Sequence, residues 1–259
     1  MSPELTLTIV SFVLGAAVGS FLNVCIYRLP AGESVVAPPS RCPSCGARIK
    51  PWDNIPIISW LLLGGKCRAC RAPISPRYAV VELLNGLLTL ALFLRFGPSL
   101  TFLALFIFCS ALVAITFIDL DHQIIPDVIS LPGIIVGFAF SFFLPWVGWK
   151  SSLIGIVAGG GSLLAVAWLY ELLTKKEGMG GGDIKLLAMM GAFLGWRSVP
   201  FIIFASSLIG SVIGVSVMLL QKRDGKLAIP FGPFLALGGV LYIFFGKAII
   251  LWYLGLITP

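Results

Sequence analysis

Two aspartates stand where a strongly apolar chain is least expected to carry charge. Asp119 ends a long apolar run, and Asp183 follows Gly180, Gly181 and Gly182 just before another apolar segment. An ionisable side chain at membrane depth is costly and is by default a candidate functional group. Because glycines let backbone approach closely, Gly180 and Gly182 are predicted to support the loop that carries Asp183. The pair predicts an aspartyl protease with Asp119 and Asp183 as its catalytic residues.

The chemistry of such a pair needs no metal. Two carboxylates in contact cannot both ionise cheaply, so they share one proton and supply one acid and one base. The base activates water toward a peptide carbonyl, and the acid protonates the oxygen or the leaving amine. Other interpretations remain for the neighbouring charges. Asp183 is alternatively a helix cap paired with Lys185, and Asp127 is a cap or first-turn acid. Asp121 and His122 are loop residues that are either solvated or bind substrate.

Four cysteines form two pairs with the spacing of metal ligands. The pairs are Cys42 with Cys45 and Cys67 with Cys70, and 21 residues separate Cys45 from Cys67. Two such knuckles with a spacer of about 15–20 residues are typical of a zinc ribbon. With four protein ligands no coordination position stays open, so the Zn²⁺ is predicted to be structural. Redox-active or unliganded thiols are the alternatives.

The composition is that of a membrane protein. Of the 259 residues, 58% are hydrophobic and 11% are charged, well below the roughly 25% of soluble domains. The mean hydropathy is +1.03. Apolar runs long enough to form membrane helices predict an all-α polytopic protein of about eight spans, at 5–27, 79–95, 101–118, 128–147, 152–172, 184–196, 198–220 and 231–256.

The basic residues predict the orientation. The net charge of +7 could suggest nucleic acid, but the Lys and Arg residues concentrate in a few loops on one side of the eight spans. Because cytoplasmic loops retain Lys and Arg, the N-terminus is expected in the periplasm and both aspartates at the cytoplasmic side. We therefore predict a first transmembrane helix at 1–28, a cytoplasmic zinc-binding loop at 29–78 and a peptidase bundle at 79–259.

Two further acids, in and next to this loop, are candidates for function. Asp53 lies between the knuckles and is a ligand or an acid, or alternatively caps a turn before Pro56. Glu82 lies at the start of the second span, where a carboxylate is unusual. Its alternative interpretation is an ion pair with Arg77.

Taken together, these motifs resemble one family, the bacterial type IV prepilin peptidases, which are leader peptidases and N-methyltransferases. The resemblance covers nearly the whole chain, and the order and combination of its motifs are specific. They are Gly19–Val24 and Tyr27–Pro30, both cysteine pairs, Pro51–Pro56, Arg77–Tyr78 with Val81–Glu82, Ile118–Gln123 with Ile125–Asp127, Glu177–Asp183 and Pro230–Pro233.

The resemblance implies a bifunctional enzyme of the bacterial inner membrane. Family members cleave the basic leader of type IV prepilins and type II secretion pseudopilins after a glycine. They then methylate the new N-terminal residue, usually phenylalanine, with S-adenosylmethionine. The family's catalytic aspartates fall on Asp119 and Asp183, and its methyltransferase activity is associated with the loop at 29–78. No S-adenosylmethionine motif is recognisable, so Glu82, Asp53 and Arg77 are the first candidates for methyl transfer.

Two alternative functions follow from the same residues. An intramembrane peptidase without methyltransferase activity would keep the aspartates and use the zinc loop only as structure. A transporter could use intramembrane acids as a proton or cation path. The clustering of the acids at one face of the bundle favours the peptidase.

Overall fold

The computed structural model describes residues 3–175, 180–221 and 229–257, and these residues are predominantly helical. Residues 176–179 and 222–228, which hold part of the glycine-rich motif and several of the basic residues used above, lie outside the described ranges. The α-helices of the described part are α1 (Pro3–Arg28), α2 (Ile58–Leu62), α3 (Arg77–Phe96), α4 (Leu100–His122), α5 (Asp127–Ser141), α6 (Trp149–Thr174), α7 (Gly181–Leu194), α8 (Ser198–Gln221), α9 (Gly232–Leu241) and α10 (Lys247–Ile257). The predicted all-α class is confirmed.

Six of the described helices are long and apolar enough to cross a membrane. They comprise α1, α3, α4, α6, α8 and the continuous helical stretch Gly232–Tyr253. The remaining two predicted spans correspond to α5 and α7, which have 15 and 14 residues. A full crossing takes about 20 residues, so these two helices are short for it. The protein is a multi-pass membrane protein, and the count of eight spans remains a prediction.

The chain divides into two compact units, residues 1–114 and 115–259. In the first unit, α1 packs along α3 in antiparallel fashion. The amide nitrogen of Asn85 donates to the carbonyl oxygen of Gly15 at 2.7 Å, and that of Asn23 donates to the carbonyl oxygen of Tyr78 at 3.0 Å. Buried amides that bond to backbone across two apolar helices fix the register of the pair.

In the second unit, α7 is the central helix. Its residues from Leu186 to Leu194 are all buried, as expected for a helix that is apolar on every side. Helix α6 packs tightly against it because Gly155 and Gly191 bring the two backbones into direct contact. The hydroxyl of Ser152 also donates to the carbonyl oxygen of Ala192 at 2.7 Å. This packing fixes the position of α7, whose first turn carries Asp183.

Candidate active site and metal centre

Asp119 lies in the last turn of α4 with its side chain turned into the protein. The residue is 5% exposed, whereas the neighbouring Leu120 is 53% exposed. One carboxylate oxygen of Asp119, Oδ2, accepts a hydrogen bond from the backbone N–H of Gly232 at 3.0 Å. Gly232 is the first residue of α9, so the carboxylate meets the positive end of a helix, where N–H groups lack partners within the helix. This contact orients a buried acid.

Gly232 is a site residue that the sequence analysis missed. A Cβ atom at this position would lie 2.6 Å from Oδ2 of Asp119, so no larger residue fits without displacing the carboxylate. The motif Pro230–Pro233 served above only as a mark of resemblance. A glycine directly before Pro233, at the start of an apolar helix, is the sequence signal that could have pointed to it.

Asp183 is the third residue of α7 and is partly buried. Its carboxylate interacts electrostatically with that of Asp119. The side chain of Ile125 lies between Gly182 of α7 and Gly232 of α9. Its Cβ atom would be 2.9 Å from a Cβ atom on Gly182, and its Cδ1 atom 3.4 Å from one on Gly232. Ile125 therefore packs against Gly182, the residue before Asp183, and against Gly232, which donates to Asp119.

The two glycines predicted to support this loop differ in their surroundings. Gly182 packs against Ile125, and a Cβ atom there would collide with it. Gly180 is the N-cap of α7 in an extended conformation, with φ −68° and ψ 140°, and a Cβ atom there would meet no atom of the described residues within 4 Å. The structure thus gives a packing reason for Gly182 and none for Gly180.

Lys185 is not positioned as the alternative interpretation of Asp183 required. Lys185 bonds to both carboxylate oxygens of Asp127, at 2.6 and 2.8 Å, rather than serving as the partner of Asp183. Asp127 lies in the first turn of α5, as predicted for a structural acid. Asp121 and His122 are exposed at the end of α4.

The four predicted metal ligands meet in the first unit. Their Sγ atoms all lie within 4.8 Å of one another, and those of Cys42 and Cys70 are 3.8 Å apart. Four sulfurs bound tetrahedrally to Zn²⁺ at about 2.3 Å are about 3.8 Å from one another. The cysteine cluster therefore fits a structural zinc ion, with one ligand pair from each knuckle.

The two knuckles share one backbone design. In each, the N–H of the first cysteine bonds to a carbonyl five residues later, Cys42 to Ala47 at 2.9 Å and Cys67 to Ala72 at 2.8 Å. Each turn also needs a positive φ four residues after its first cysteine, at Gly46 with 70° and at Arg71 with 61°. These turns point the sulfurs of both knuckles toward a common centre.

Ionisation of the thiols also favours a cation at this centre. Hydrogen bonds from the backbone N–H groups of Cys45 and Ser44 lower the pKa of the Cys42 thiol to about 6. The backbone N–H of Ala72 lowers the pKa of the Cys70 thiol, but hydrogen bonds with the other three thiols, together with burial, outweigh it and raise that pKa to about 11. Four crowded thiols cannot all ionise on their own, whereas a bound Zn²⁺ deprotonates its ligands.

We expect replacement of Cys42 by Ser to abolish zinc binding and to unfold the loop between the knuckles. Loss of one thiolate from a four-sulfur site removes the closed coordination on which such small units depend. Metal analysis of the purified protein and protease cleavage within the loop measure the effect. Replacement of the buried Cys25, which lies in α1 away from the cluster, is the control and should keep one zinc per chain. Equal zinc content in the two variants would contradict the assignment.

Glu82 ties the loop to α3. The residue is 8% exposed, and its Oε2 atom accepts a hydrogen bond from the backbone N–H of Ile57 at 2.7 Å. Ile57 has φ 63° and ψ −52°, and the N–H of Ile58 bonds to the carbonyl of Pro56 at 2.6 Å, so Ile57 is the centre of a γ-turn. Such a turn is strained for a β-branched residue. The carboxylate of Glu82 holds the loop in this unfavourable conformation.

Asp53 and Arg77, the other two candidates, lie in different parts of the loop region. The carboxylate of Asp53 accepts hydrogen bonds from Nε and Nη2 of Arg68, the shortest at 2.6 Å. These bonds lower the pKa of Asp53 below its usual value. Asp53 therefore joins the spacer to the second knuckle, in place of the turn-capping role considered above. Arg77 is the first residue of α3.

Comparisons with known proteins identify the family. The family model for the bacterial peptidase A24 N-terminal domain matches residues 13–96, and the model for the type IV leader peptidase family matches residues 106–215. A prepilin leader peptidase/N-methyltransferase of Aeromonas hydrophila is 41% identical, over 94% of this chain and 92% of its own. The chain belongs to the type IV leader peptidase family. Two other relatives carry the same name as the Aeromonas protein. The one from Pseudomonas aeruginosa is 40% identical over 98% of this chain and 95% of its own length. The one from Burkholderia pseudomallei is 37% identical over 91% of this chain and 84% of its own length.

Each of the two family models covers one of the two candidate sites, the cysteine cluster or the aspartate pair. The N-terminal match contains the four cysteines, Asp53 and Glu82, and the second match contains both aspartates. Gly232 lies beyond the second match, although its N–H contacts Asp119. No solved structure matches the chain.

Proposed function

We propose that this protein removes the leader peptide from type IV prepilins and then methylates the new N-terminal residue. The observation that carries the first activity is the buried carboxylate of Asp119, oriented by the N–H of Gly232 and close enough to Asp183 for the two charges to interact. Full-length similarity to prepilin leader peptidase/N-methyltransferases supports both activities.

The hydrolysis follows from one proton shared between Asp119 and Asp183. The ionised carboxylate takes a proton from water, and the water oxygen attacks the carbonyl carbon of the scissile peptide. The protonated carboxyl group then gives its proton to the leaving nitrogen as the carbon–nitrogen bond breaks. The pair ends with one proton, as it began. Both residues sit at the ends of apolar helices, which suits a substrate whose apolar segment lies in the bilayer.

The proposed setting is the bacterial inner membrane with the aspartates at its cytoplasmic side. The concentration of Lys and Arg in the loops on that side supports this orientation. The basic leader of a prepilin would stay cytoplasmic for the same reason. Pseudopilins of type II secretion are proposed as a second group of substrates, since they share the same kind of leader.

Methyl transfer is proposed for the loop at 29–78, with S-adenosylmethionine as the source of an electrophilic methyl group. The amino group exposed by cleavage must lose a proton before it attacks that methyl group. Glu82, Asp53 and Arg77 remain the proposed contributors. Of these, Glu82 has the clearest claim, because its buried carboxylate holds the strained turn at Ile57.

Replacement of Glu82 by Gln is expected to reduce methylation at least about tenfold while cleavage continues, since charged-group contributions to such steps are commonly this large or larger. Glutamine keeps an oxygen for the N–H of Ile57 and removes only the charge. Methylation of a synthetic, already cleaved pilin peptide measures the effect. Glu33→Gln, which changes an exposed acid of the same loop, should methylate normally. If Glu82→Gln also methylates normally, the carboxylate charge has no part in methyl transfer.

The experiment that tests the whole proposal is mass spectrometry of a prepilin incubated with the purified protein and S-adenosylmethionine. Loss of the leader together with one added methyl group on the new N-terminus would establish both activities. Loss of the leader alone would leave a peptidase without methyltransferase activity. An intact prepilin, with zinc-loaded and folded protein, would overturn the proposal and favour the transport alternative.

A further inference from the structure

The loop between α1 and α3 carries an exposed apolar surface outside the membrane-spanning helices. It consists of Trp52, Ile55, Ile58, Leu61 and Leu62, which we call the α2 patch and which are between 47% and 82% exposed. Five large apolar side chains are thus exposed within an 11-residue stretch, and clustered exposed apolar side chains often mark a protein or membrane contact.

The depth of the α2 patch follows from its attachment to α3. The N–H of Ile57 bonds to Glu82, which lies five residues into a helix that begins at Arg77. At 1.5 Å per residue, Glu82 is about 7.5 Å along α3 from its polar end. Ile58 follows Ile57 directly, so this part of the α2 patch is level with the apolar part of α3. There the helix exposes Val80 and Leu83, as a lipid-facing surface does.

Polar contacts fix which way the α2 patch faces. The hydroxyl of Ser59, a buried residue, donates to the carbonyl of Trp52 at 2.9 Å. The indole N–H of Trp60 donates to the carbonyl of Ile74, beside the second knuckle, at 3.1 Å. These two residues of α2 point into the loop, whereas Leu61 and Leu62 point away from it. Helix α2 is thus amphipathic over little more than one turn.

The charges that surround the α2 patch complement an anionic surface. Residues 29–78 contain seven Lys and Arg residues and two acids, of which Asp53 is already paired with Arg68. Arg48, Lys50, Lys66 and Arg71 are exposed. Apolar side chains level with the acyl chains and basic side chains around them match the boundary between acyl chains and anionic lipid headgroups.

We propose that the α2 patch is an interfacial membrane anchor that inserts into the bilayer beside α3, with the surrounding basic residues on anionic lipid headgroups. The anchor holds the zinc loop flat against the membrane surface. Its occupant is lipid, and a second copy of the chain or a prepilin is the competing occupant. This role does not depend on either proposed enzymatic activity.

The test places the photoreactive residue p-benzoylphenylalanine at Leu62 of the full-length protein, in vesicles of phosphatidylethanolamine and phosphatidylglycerol. The same residue at Glu33, an exposed position of the same loop, is the matched control. After illumination, mass spectrometry identifies what each position has captured. Because Leu62 is 82% exposed, the larger residue does not disturb the packing, and zinc content verifies the folded loop.

We expect lipid adducts when the photoreactive residue is at position 62 and few or none when it is at position 33. In vesicles of phosphatidylcholine alone, we expect fewer adducts at position 62. No lipid adduct at position 62, or equal yields at both positions, would overturn the anchor. Capture of a second copy or of an added prepilin in place of lipid would overturn it in favour of a protein contact. A yield unchanged in phosphatidylcholine would overturn the part assigned to anionic headgroups.

Discussion

Replacing either Asp119 or Asp183 by Asn is expected to lower the rate of leader cleavage by at least about 10⁴-fold, as removal of one member of a catalytic unit does in other hydrolases. Asparagine keeps the size of the side chain but can neither take nor give the shared proton. Because the two groups act as one unit, the double variant should be no slower than either single variant. Cleavage of a purified prepilin, followed over time, measures all three.

The control for this prediction is Asp127→Asn. That substitution removes a carboxylate of the same second unit, and its partner Lys185 is itself partly exposed, so the cost in stability should be small. Cleavage should continue. Methylation of an already cleaved pilin peptide should survive in all of these variants, which shows that each is folded. Full cleavage by Asp119→Asn or Asp183→Asn would remove the aspartyl mechanism.

Replacing Gly232 by Ala is expected to reduce cleavage by about 10²-fold or more, the cost of displacing a catalytic group by about 1 Å. The added methyl group would lie 2.6 Å from Oδ2 of Asp119, so the carboxylate must move and its hydrogen bond to the N–H of residue 232 must lengthen or break. The rate constant for cleavage at saturating prepilin measures the loss.

Gly161→Ala is the matched control for Gly232→Ala. Gly161 lies within α6, and in the part of the chain that the structure describes no atom lies within 4 Å of a Cβ atom at this position. Alanine at an open helical position should leave cleavage unchanged and stabilise the helix by about 0.5–1 kcal/mol, since glycine is the poorer helix former. If Gly232→Ala cleaved as fast as this control, Gly232 would have no part in positioning Asp119.

The sequence was sufficient for the fold class, and it named the candidate residues of both proposed sites. A membrane chain must keep charge out of its apolar runs, so the carboxylates of Asp119 and Asp183 stood out against their surroundings. A four-sulfur zinc site needs closely spaced thiols on tight turns, so the two CxxC pairs predicted the zinc ligands without any knowledge of the fold. Full-length similarity then confirmed the predicted family.

Contacts between residues far apart in the chain could not be read in the same way. Gly232 follows Asp119 by more than a hundred residues, and its importance comes from a backbone N–H that every residue except proline possesses. Whether Lys185 pairs with Asp183 or with Asp127 depends on how α5 packs against α7. The glycine before Pro233 marks a helix start, but pattern and spacing do not decide which distant side chain meets it or which acid Lys185 contacts.

The sequence by itself determined the groups available to the proposed sites: two aspartates, four cysteine thiols and a set of apolar helices. The tertiary structure alone decided how those groups are positioned. It placed Asp119 on the N-terminus of α9, and it used the carboxylate of Glu82 to hold the strained turn at Ile57. The physical reason is that hydropathy and ligand spacing are local properties of the chain, whereas the partner of a buried polar group is set by the packing of distant segments.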